Sequence, residues 1–183
     1  MQKTAASTLS WILPLDSEKA LLHQVGGKGA NLSKLVRAGF PVPNGFLITT
    51  QAYYAFVANN NLEQKIEAAL QTIEINHPDS LETVSETIRT LFSCGALPAG
   101  LEDALQKAYH TLSSELSFGK AVAVRSSATT EDLPELSFAG QQDTYLNVIG
   151  FEALIQSVRD CWGSLWTARA IGYRERNDVS HTG

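Results

Sequence analysis

The sequence predicts a mixed α/β (α+β) fold, and three observations carry that prediction. Short runs rich in β-formers stand at 11–15 and 46–49, and again at 121–124 and 143–149. Between the two pairs, from about 51 to 115, apolar residues recur at helical spacing with no strand-like alternation. The chain has 183 residues and a hydrophobic content of 44%, enough for one ordinary domain with a real core.

Residues 11–15 read as a short opening strand. Residues 21–29 then run Leu-Leu-His-Gln-Val-Gly-Gly-Lys-Gly, and a helix is expected to follow with Leu32, Leu35 and Val36 on its buried face. Gly39 is placed to end that helix and Pro41 to prevent its continuation. Lys28 therefore falls on a glycine turn near a helix N-terminus, where free backbone N–H groups and the positive end of the helix dipole can face an anion. The pattern is not a Walker A loop: Leu22 stands where the first glycine belongs, and Gly29 where Ser or Thr follows the lysine. Taken alone, Gly-Gly-Lys is common and reads better as a turn bearing a solvated lysine.

Pro43-Asn44-Gly45 marks a turn, and 46–49 a second strand. Thr50 is expected to cap a helix carrying Tyr53, Phe56 and Val57. Asn61 with Gln64 resembles a capping box, ahead of Leu62, Ile66, Ala69, Leu70 and Ile73 on one face. Residues 76–78, Asn-His-Pro, break that helix. Asp79 with Glu82 opens the next, with Val84, Ile88, Leu91 and Phe92 in register and Cys94-Gly95 as its stop. A further amphipathic helix over about 98–113 carries Leu101, Leu105, Ala108 and Leu112. None of these helices shows chemistry of its own, and the segment from about 51 to 115 reads as a helical insert with its stripes as core.

The stretch from 121 to 148 organises the chain. An apolar run ends in Arg125 and small hydroxyl residues; a polar loop follows with Leu133-Pro134 and Ala139-Gly140; a strand resumes over about 143–149. Strands that fix a cation, joined by a glycine-bearing loop, suit a phosphate site, and Gly140 lets its backbone N–H approach an oxyanion closely. The competing reading is an ordinary strand-end arginine and an ordinary hairpin connection. The loop, about 126–142, is as long as the ~15 residues beyond which unstructured loops are uncommon unless functional or disordered. Gly150 turns the chain into what is expected to be its longest helix, about 151–170. Leu154, Ile155, Val158, Cys161, Trp162, Leu165 and Trp166 form its stripe. The tryptophans read as core anchors, with adenine stacking as the lesser alternative. Arg169, Arg174 and Arg176 read either as a solvated face or as leaning toward bound phosphate.

Several classes are disfavoured. The net charge of −5 argues against a nucleic-acid or anionic-membrane surface, while leaving room for a local anion site. No apolar run approaches the ~18 residues of a membrane span, and residues 1–10 lack a signal-peptide core. Cys94 and Cys161, both in apolar surroundings, read as buried free thiols, which suits a reducing cytoplasm. His23, His77, His110 and His181 show no zinc-ligand spacing. Ser126 and Ser127 lack a nucleophile-elbow context. Glu131 and Asp132 are adjacent loop residues that read as solvated acids, and no Gly-x-Gly-x-x-Gly occurs.

Five motifs occur in order: Val25-Gly-Gly-Lys-Gly-Ala-Asn-Leu32, Pro41-Val-Pro-Asn-Gly-Phe46, Val124-Arg-Ser-Ser-Ala-Thr129, Glu131-Asp-Leu-Pro134 and Ser137-Phe-Ala-Gly-Gln-Gln-Asp-Thr144. Together they closely resemble the N-terminal ATP-binding domain of the phosphoenolpyruvate synthase and pyruvate phosphate dikinase family. Rifamycin phosphotransferase shares the architecture and nearly the same motifs. The resemblance runs from about residue 21 to 173; each motif alone is weak, and five in order are specific.

The resemblance implies the first lobe of an ATP-grasp nucleotide-binding domain over 1–183, clamping ATP and Mg2+ together with a second lobe. By resemblance, Lys28 is a phosphate-binding lysine, Arg125 an arginine on the nucleotide phosphates, and Gly140 and Thr144 positions that close on the nucleotide. Metal ligands, adenine contacts, the phosphohistidine and the substrate domain are expected beyond Gly183, so no catalytic residue is assigned in this chain. Acting alone, it is expected to be inactive. The implied full-length activity is that of a cytoplasmic phosphotransferase of the phosphoenolpyruvate synthase type. Such an enzyme converts ATP, pyruvate and water to phosphoenolpyruvate, AMP and phosphate through a phosphohistidine on another domain of the same polypeptide. A rifamycin phosphotransferase, with a different acceptor, and a non-catalytic nucleotide-binding or interaction module are the alternatives.

Overall fold

The computed structural model describes residues 10–73, 78–115, 121–129 and 143–176. Its elements, in chain order, are β1 (Ile12–Pro14), α1 (Leu22–Arg37), β2 (Phe46–Ile48), α2 (Thr50–Asn59), α3 (Leu62–Leu70), α4 (Pro78–Ser93), α5 (Leu101–Glu115), β3 (Val122–Arg125), β4 (Thr144–Val148), α6 (Phe151–Gly163), a 3₁₀ turn (Ser164–Trp166) and α7 (Ala168–Arg176). The fold is mixed α/β, with helices around two small antiparallel sheets.

The first sheet pairs β1 with β2, placing Ile12 opposite Ile48 and Pro14 opposite Phe46. The second pairs β3 with β4, placing Val122 opposite Val148, Val124 opposite Tyr145 and Arg125 opposite Thr144. One residue separates Val122 from Val124, but two separate Tyr145 from Val148, so β4 carries an extra residue. Asn147 sits in this stretch at φ 60, a left-handed conformation that Asn tolerates better than most residues. Strict alternation would send Tyr145 and Val148 to opposite faces. The bulge turns both inward, where they pack with Tyr109, Leu154, Val122 and Val124. The outer face of the hairpin carries Arg125, Thr144 and Leu146, all exposed.

Helix α5 ties the two sheets together. Leu101 and Leu105 pack with Ala52 beneath Ile12, Phe46 and Ile48, while Tyr109 packs against the second sheet. The Gly150 N–H donates to Tyr109 Oη at 2.9 Å, fixing the chain as it leaves β4. The largest core cluster joins α2, α3, α4 and α7 through Phe56, Leu62, Ile66, Val84, Ile88, Phe92 and Ile171, with Trp166 from the 3₁₀ turn. Phe56 is wholly buried, its ring 5.9 Å from Phe92 and 5.0 Å from Trp162. Removing such a ring costs about 3–5 kcal/mol. Gly95 follows α4 because the Phe56 ring fills the space a Cβ would need.

Five local expectations are corrected. Leu32 and Leu35 are 38% and 42% exposed, and α1 instead buries Val25, Gly26, Gly27, Gly29, Ala30 and Ser33. The expected helix over 151–170 breaks after Gly163. Ser164 is fully buried there; its hydroxyl donates to the Cys161 carbonyl at 2.7 Å and accepts from the Asp143 N–H at 3.3 Å, so the break anchors the start of β4. The capping box does not form: Asn61 takes φ 51 and its side chain makes no cap bond. Thr49, not Thr50, precedes α2; Thr49 Oγ1 donates to the Ser10 carbonyl at 2.9 Å, and Thr50 Oγ1 to the His23 carbonyl at 2.9 Å. Cys161 is buried as expected, whereas Cys94 is exposed at the end of α4.

Candidate functional site

Arg125 is the last residue of β3 and is exposed; Thr144 is the first residue of β4 and lies directly across from it. Their cross-strand pairing places both on the outer face of the hairpin. Val124 and Tyr145, one step along, face the core.

Helix α1 is kinked at Gly26, where φ 70 and ψ 174 interrupt it. Only glycine adopts that region without strain. A second requirement acts at the same place: a Cβ on Gly26 would collide with the carbonyl of Ser127. The helix restarts at Gly27, so Lys28 is its second residue and is exposed. The Gly27 N–H donates to the Ala128 carbonyl at 3.0 Å, and the Gly29 N–H donates to Ser127 Oγ at 2.9 Å. The glycine turn is thus fastened to the two residues that stand second and third after Arg125. Two amides expected to face an anion are instead spent on this junction, leaving side chains as the main cationic offering.

Lys28, Arg125 and Thr144, separated widely in sequence, belong to segments that meet. Gly140, Glu131 and Asp132 lie outside the described residues. Of the C-terminal arginines, Arg174 is structural: its guanidinium lies 4.8 Å from the Trp166 ring centroid, and Nη2 donates to the Leu165 carbonyl at 2.8 Å. Burial holds its pKa below the ordinary arginine value. Arg176 Nε donates to the Gly172 carbonyl at 3.0 Å, and Arg169 is exposed. Trp166 is buried and Trp162 partly so, both within the core as anchors.

A polar cleft of about 450 Å³ opens on the other face of the hairpin, between α4, α6 and β4, lined by Glu86, Arg89, Ser93, Tyr145 and Asp160. Burial and then the neighbouring Asp143 carboxylate push the Tyr145 hydroxyl up to about 12. Among the described residues no three His, Cys, Asp or Glu side chains gather to hold a metal ion. Among them, too, no helix is long and apolar enough to cross a membrane.

Sequence reasoning singled out Lys28, Arg125 and Thr144 but passed over Ser127 and Gly26 as partners. The only local signal was a pair of glycines and a pair of serines, each beside a cation.

Residues 22–183 match the family described as pyruvate phosphate dikinase, AMP/ATP-binding domain. Among curated proteins, the phosphoenolpyruvate synthase of Aeropyrum pernix is 46% identical over 173 residues, covering 93% of this chain and 21% of the relative. The probable phosphoenolpyruvate synthase of Methanothermobacter thermautotrophicus is 42% identical over 158 residues, covering 86% and 23%. That of Aquifex aeolicus, named phosphoenolpyruvate synthase, is 42% identical over 161 residues, covering 85% and 19%. The chain spans about a fifth of the length of these relatives. With the family match covering all but the first 21 residues, the chain belongs to the pyruvate phosphate dikinase AMP/ATP-binding domain family.

Proposed function

We propose that residues 1–183 form the first lobe of an ATP-grasp nucleotide-binding domain and bind ATP through Lys28, Arg125, Gly140 and Thr144. The observation that carries this reading is the junction between the glycine turn and the end of β3. Gly27 and Gly29 are hydrogen-bonded to Ala128 and Ser127, which brings the Lys28 segment to the Arg125 segment. The Arg125–Thr144 pairing adds a third segment. Phosphoryl transfer asks little covalent chemistry of a protein and much electrostatic positioning. Two cations held on rigid elements offset charge on a polyphosphate, and a hydroxyl at Thr144 supplies a neutral donor beside them.

In the full-length protein the same reading gives a cytoplasmic phosphoenolpyruvate synthase. ATP, pyruvate and water yield phosphoenolpyruvate, AMP and phosphate by way of a phosphohistidine on another domain. The name phosphoenolpyruvate synthase, carried by two of the relatives, supports phosphoenolpyruvate as the product. The ligands for magnesium belong, on this reading, to the rest of the full-length protein. The test is AMP release by the full-length protein supplied with Mg-ATP. Release that depends on pyruvate is expected, and release indifferent to pyruvate overturns the assignment. Arg125→Ala is expected to lower kcat/KM for ATP at least about tenfold, the equivalent of losing one charge-assisted hydrogen bond.

A further inference from the structure

A helix start leaves its first amides without intrahelical partners, and the residue before the first helical position normally supplies a side-chain oxygen to the second or third amide. In α1 that position is Gly26, which has no side chain to give. Counting from the restart at Gly27, Lys28 is the second residue and Gly29 the third. The third amide, Gly29 N–H, donates to Ser127 Oγ at 2.9 Å, and the first, Gly27 N–H, donates to the Ala128 carbonyl at 3.0 Å. Ser127 therefore performs the capping task from 98 residues away in sequence. It can reach because Gly26 leaves the space its carbonyl occupies.

Lys28 lies between the two tethered amides. Arg125 lies two residues before Ser127, a separation of at most about 7 Å of extended chain. The position of one cation relative to the other is thus set through a short path: strand end, Ser127 hydroxyl, Gly29 amide, Lys28. Without the hydroxyl, the Gly29 amide loses its partner and the first helical turn is held to the segment after β3 by the Gly27–Ala128 bond alone, which lets Lys28 pivot. Positional errors of about 1 Å at a reacting group cost on the order of 10²-fold.

We propose that Ser127 is a positioning residue for nucleotide use, acting through Lys28 by capping the Gly29 amide and so holding Lys28 in register with Arg125. This rests on the reading of Lys28 and Arg125 as phosphate contacts. The test is a double-mutant cycle in the full-length protein with ATP as the varied substrate, using Ser127→Ala, Lys28→Ala and the pair, together with their unfolding midpoints. Ser127→Ala is expected to lower kcat/KM for ATP about tenfold in the parent and less than twofold in the Lys28→Ala background. A residue that only stabilises the fold lowers the unfolding midpoint and costs the same factor in both backgrounds; that result, or no effect in the parent, overturns this inference alone. If Lys28→Ala leaves kcat/KM unchanged, the functional reading itself falls and this inference with it. Should Ser127→Ala not fold, Ser127→Cys keeps the size, weakens the acceptor and carries the same comparison.

Discussion

Gly26 has no room for a Cβ because the carbonyl of Ser127 lies where that atom would go. Gly39 shares its positive φ, 79 against 70, but has open space around the missing side chain. Gly26 carries both backbone strain and a collision, whereas Gly39 carries backbone strain without a collision. Gly39→Ala is expected to cost about 1–2 kcal/mol, the conformational term alone. Gly26→Ala adds displacement of a backbone carbonyl and is expected to cost at least about 2 kcal/mol more. Urea unfolding of both variants checks this, and equal midpoints would contradict the close approach of Gly26 to Ser127.

That contact also marks where the sequence stops being legible. The strands were readable because β-formers cluster between turn signals, and Arg125 was readable as a strand-end cation. Local pattern cannot show that Gly29 and Ser127, 98 residues apart, share a hydrogen bond. Nor could spacing reveal the buried face of α1. Leu32 and Leu35 look like core, yet small residues face inward because a Cβ on Gly29 would stand only 3.1 Å from the Val25 side chain and 3.3 Å from Leu47. The apolar run Trp162, Leu165 and Trp166 continues a helical period through a point where Ser164 bonds back to Cys161 and out to Asp143. Gly140, the motif glycine of the loop, falls outside the described residues, so its placement rests on the resemblance.

The inverted face of α1 is open to a direct check. Ser33 is fully buried, and its hydroxyl donates to the Ser17 carbonyl at 3.1 Å. Ser33→Leu is expected to destabilise the chain by about 1–3 kcal/mol or more through overpacking and loss of that bond. Leu32→Gln, on the exposed side, is expected to stay within about 0.5 kcal/mol. The reverse order in thermal or denaturant unfolding would restore the leucine face to the core.

Arg125 and Arg174 should fail in different ways. Arg125 is exposed at a strand end, so Arg125→Ala is expected to leave the unfolding midpoint nearly unchanged while lowering ATP-dependent turnover in the full-length protein at least about tenfold. Arg174 packs on Trp166 and donates to the Leu165 carbonyl, so Arg174→Ala loses packing and leaves that carbonyl without its donor. Its expected cost is about 1–3 kcal/mol of stability. Parallel unfolding curves and kinetics distinguish the two, and a shared phenotype would contradict the division.

Tyr145 gives the fold a pH signature on the alkaline side. Burial, then the Asp143 carboxylate, raise its hydroxyl from 10.0 to about 12 in the folded chain. A folded-state pKa above the unfolded one means that the native state holds the proton more tightly. Its contribution is therefore complete below pH 10.0 and is lost as pH rises from there through about 12. Stability is expected to fall over that window, and Tyr145→Phe to make the fall shallower. Tyrosinate absorbance against pH, compared between the two proteins, measures it; a Tyr145 midpoint near 10.0 would remove the effect.

The 183-residue polypeptide by itself should bind ATP weakly. Lys28, Arg125 and Thr144 are all exposed rather than enclosed. Two or three charge-assisted contacts contribute a gross ~3–9 kcal/mol. Lost ligand freedom and side-chain ordering cost at least ~4 kcal/mol, and solvent screening reduces each exposed contact further. The surplus corresponds to a Kd of about 1 mM or weaker. Because most of the binding term is ionic, raising the salt concentration should weaken it further. Calorimetry with Mg-ATP on this polypeptide, repeated with Lys28→Ala, checks both the affinity and its origin. Micromolar binding unaffected by Lys28→Ala would place the nucleotide elsewhere, and the polar cleft beside Tyr145 would then be the next surface to test.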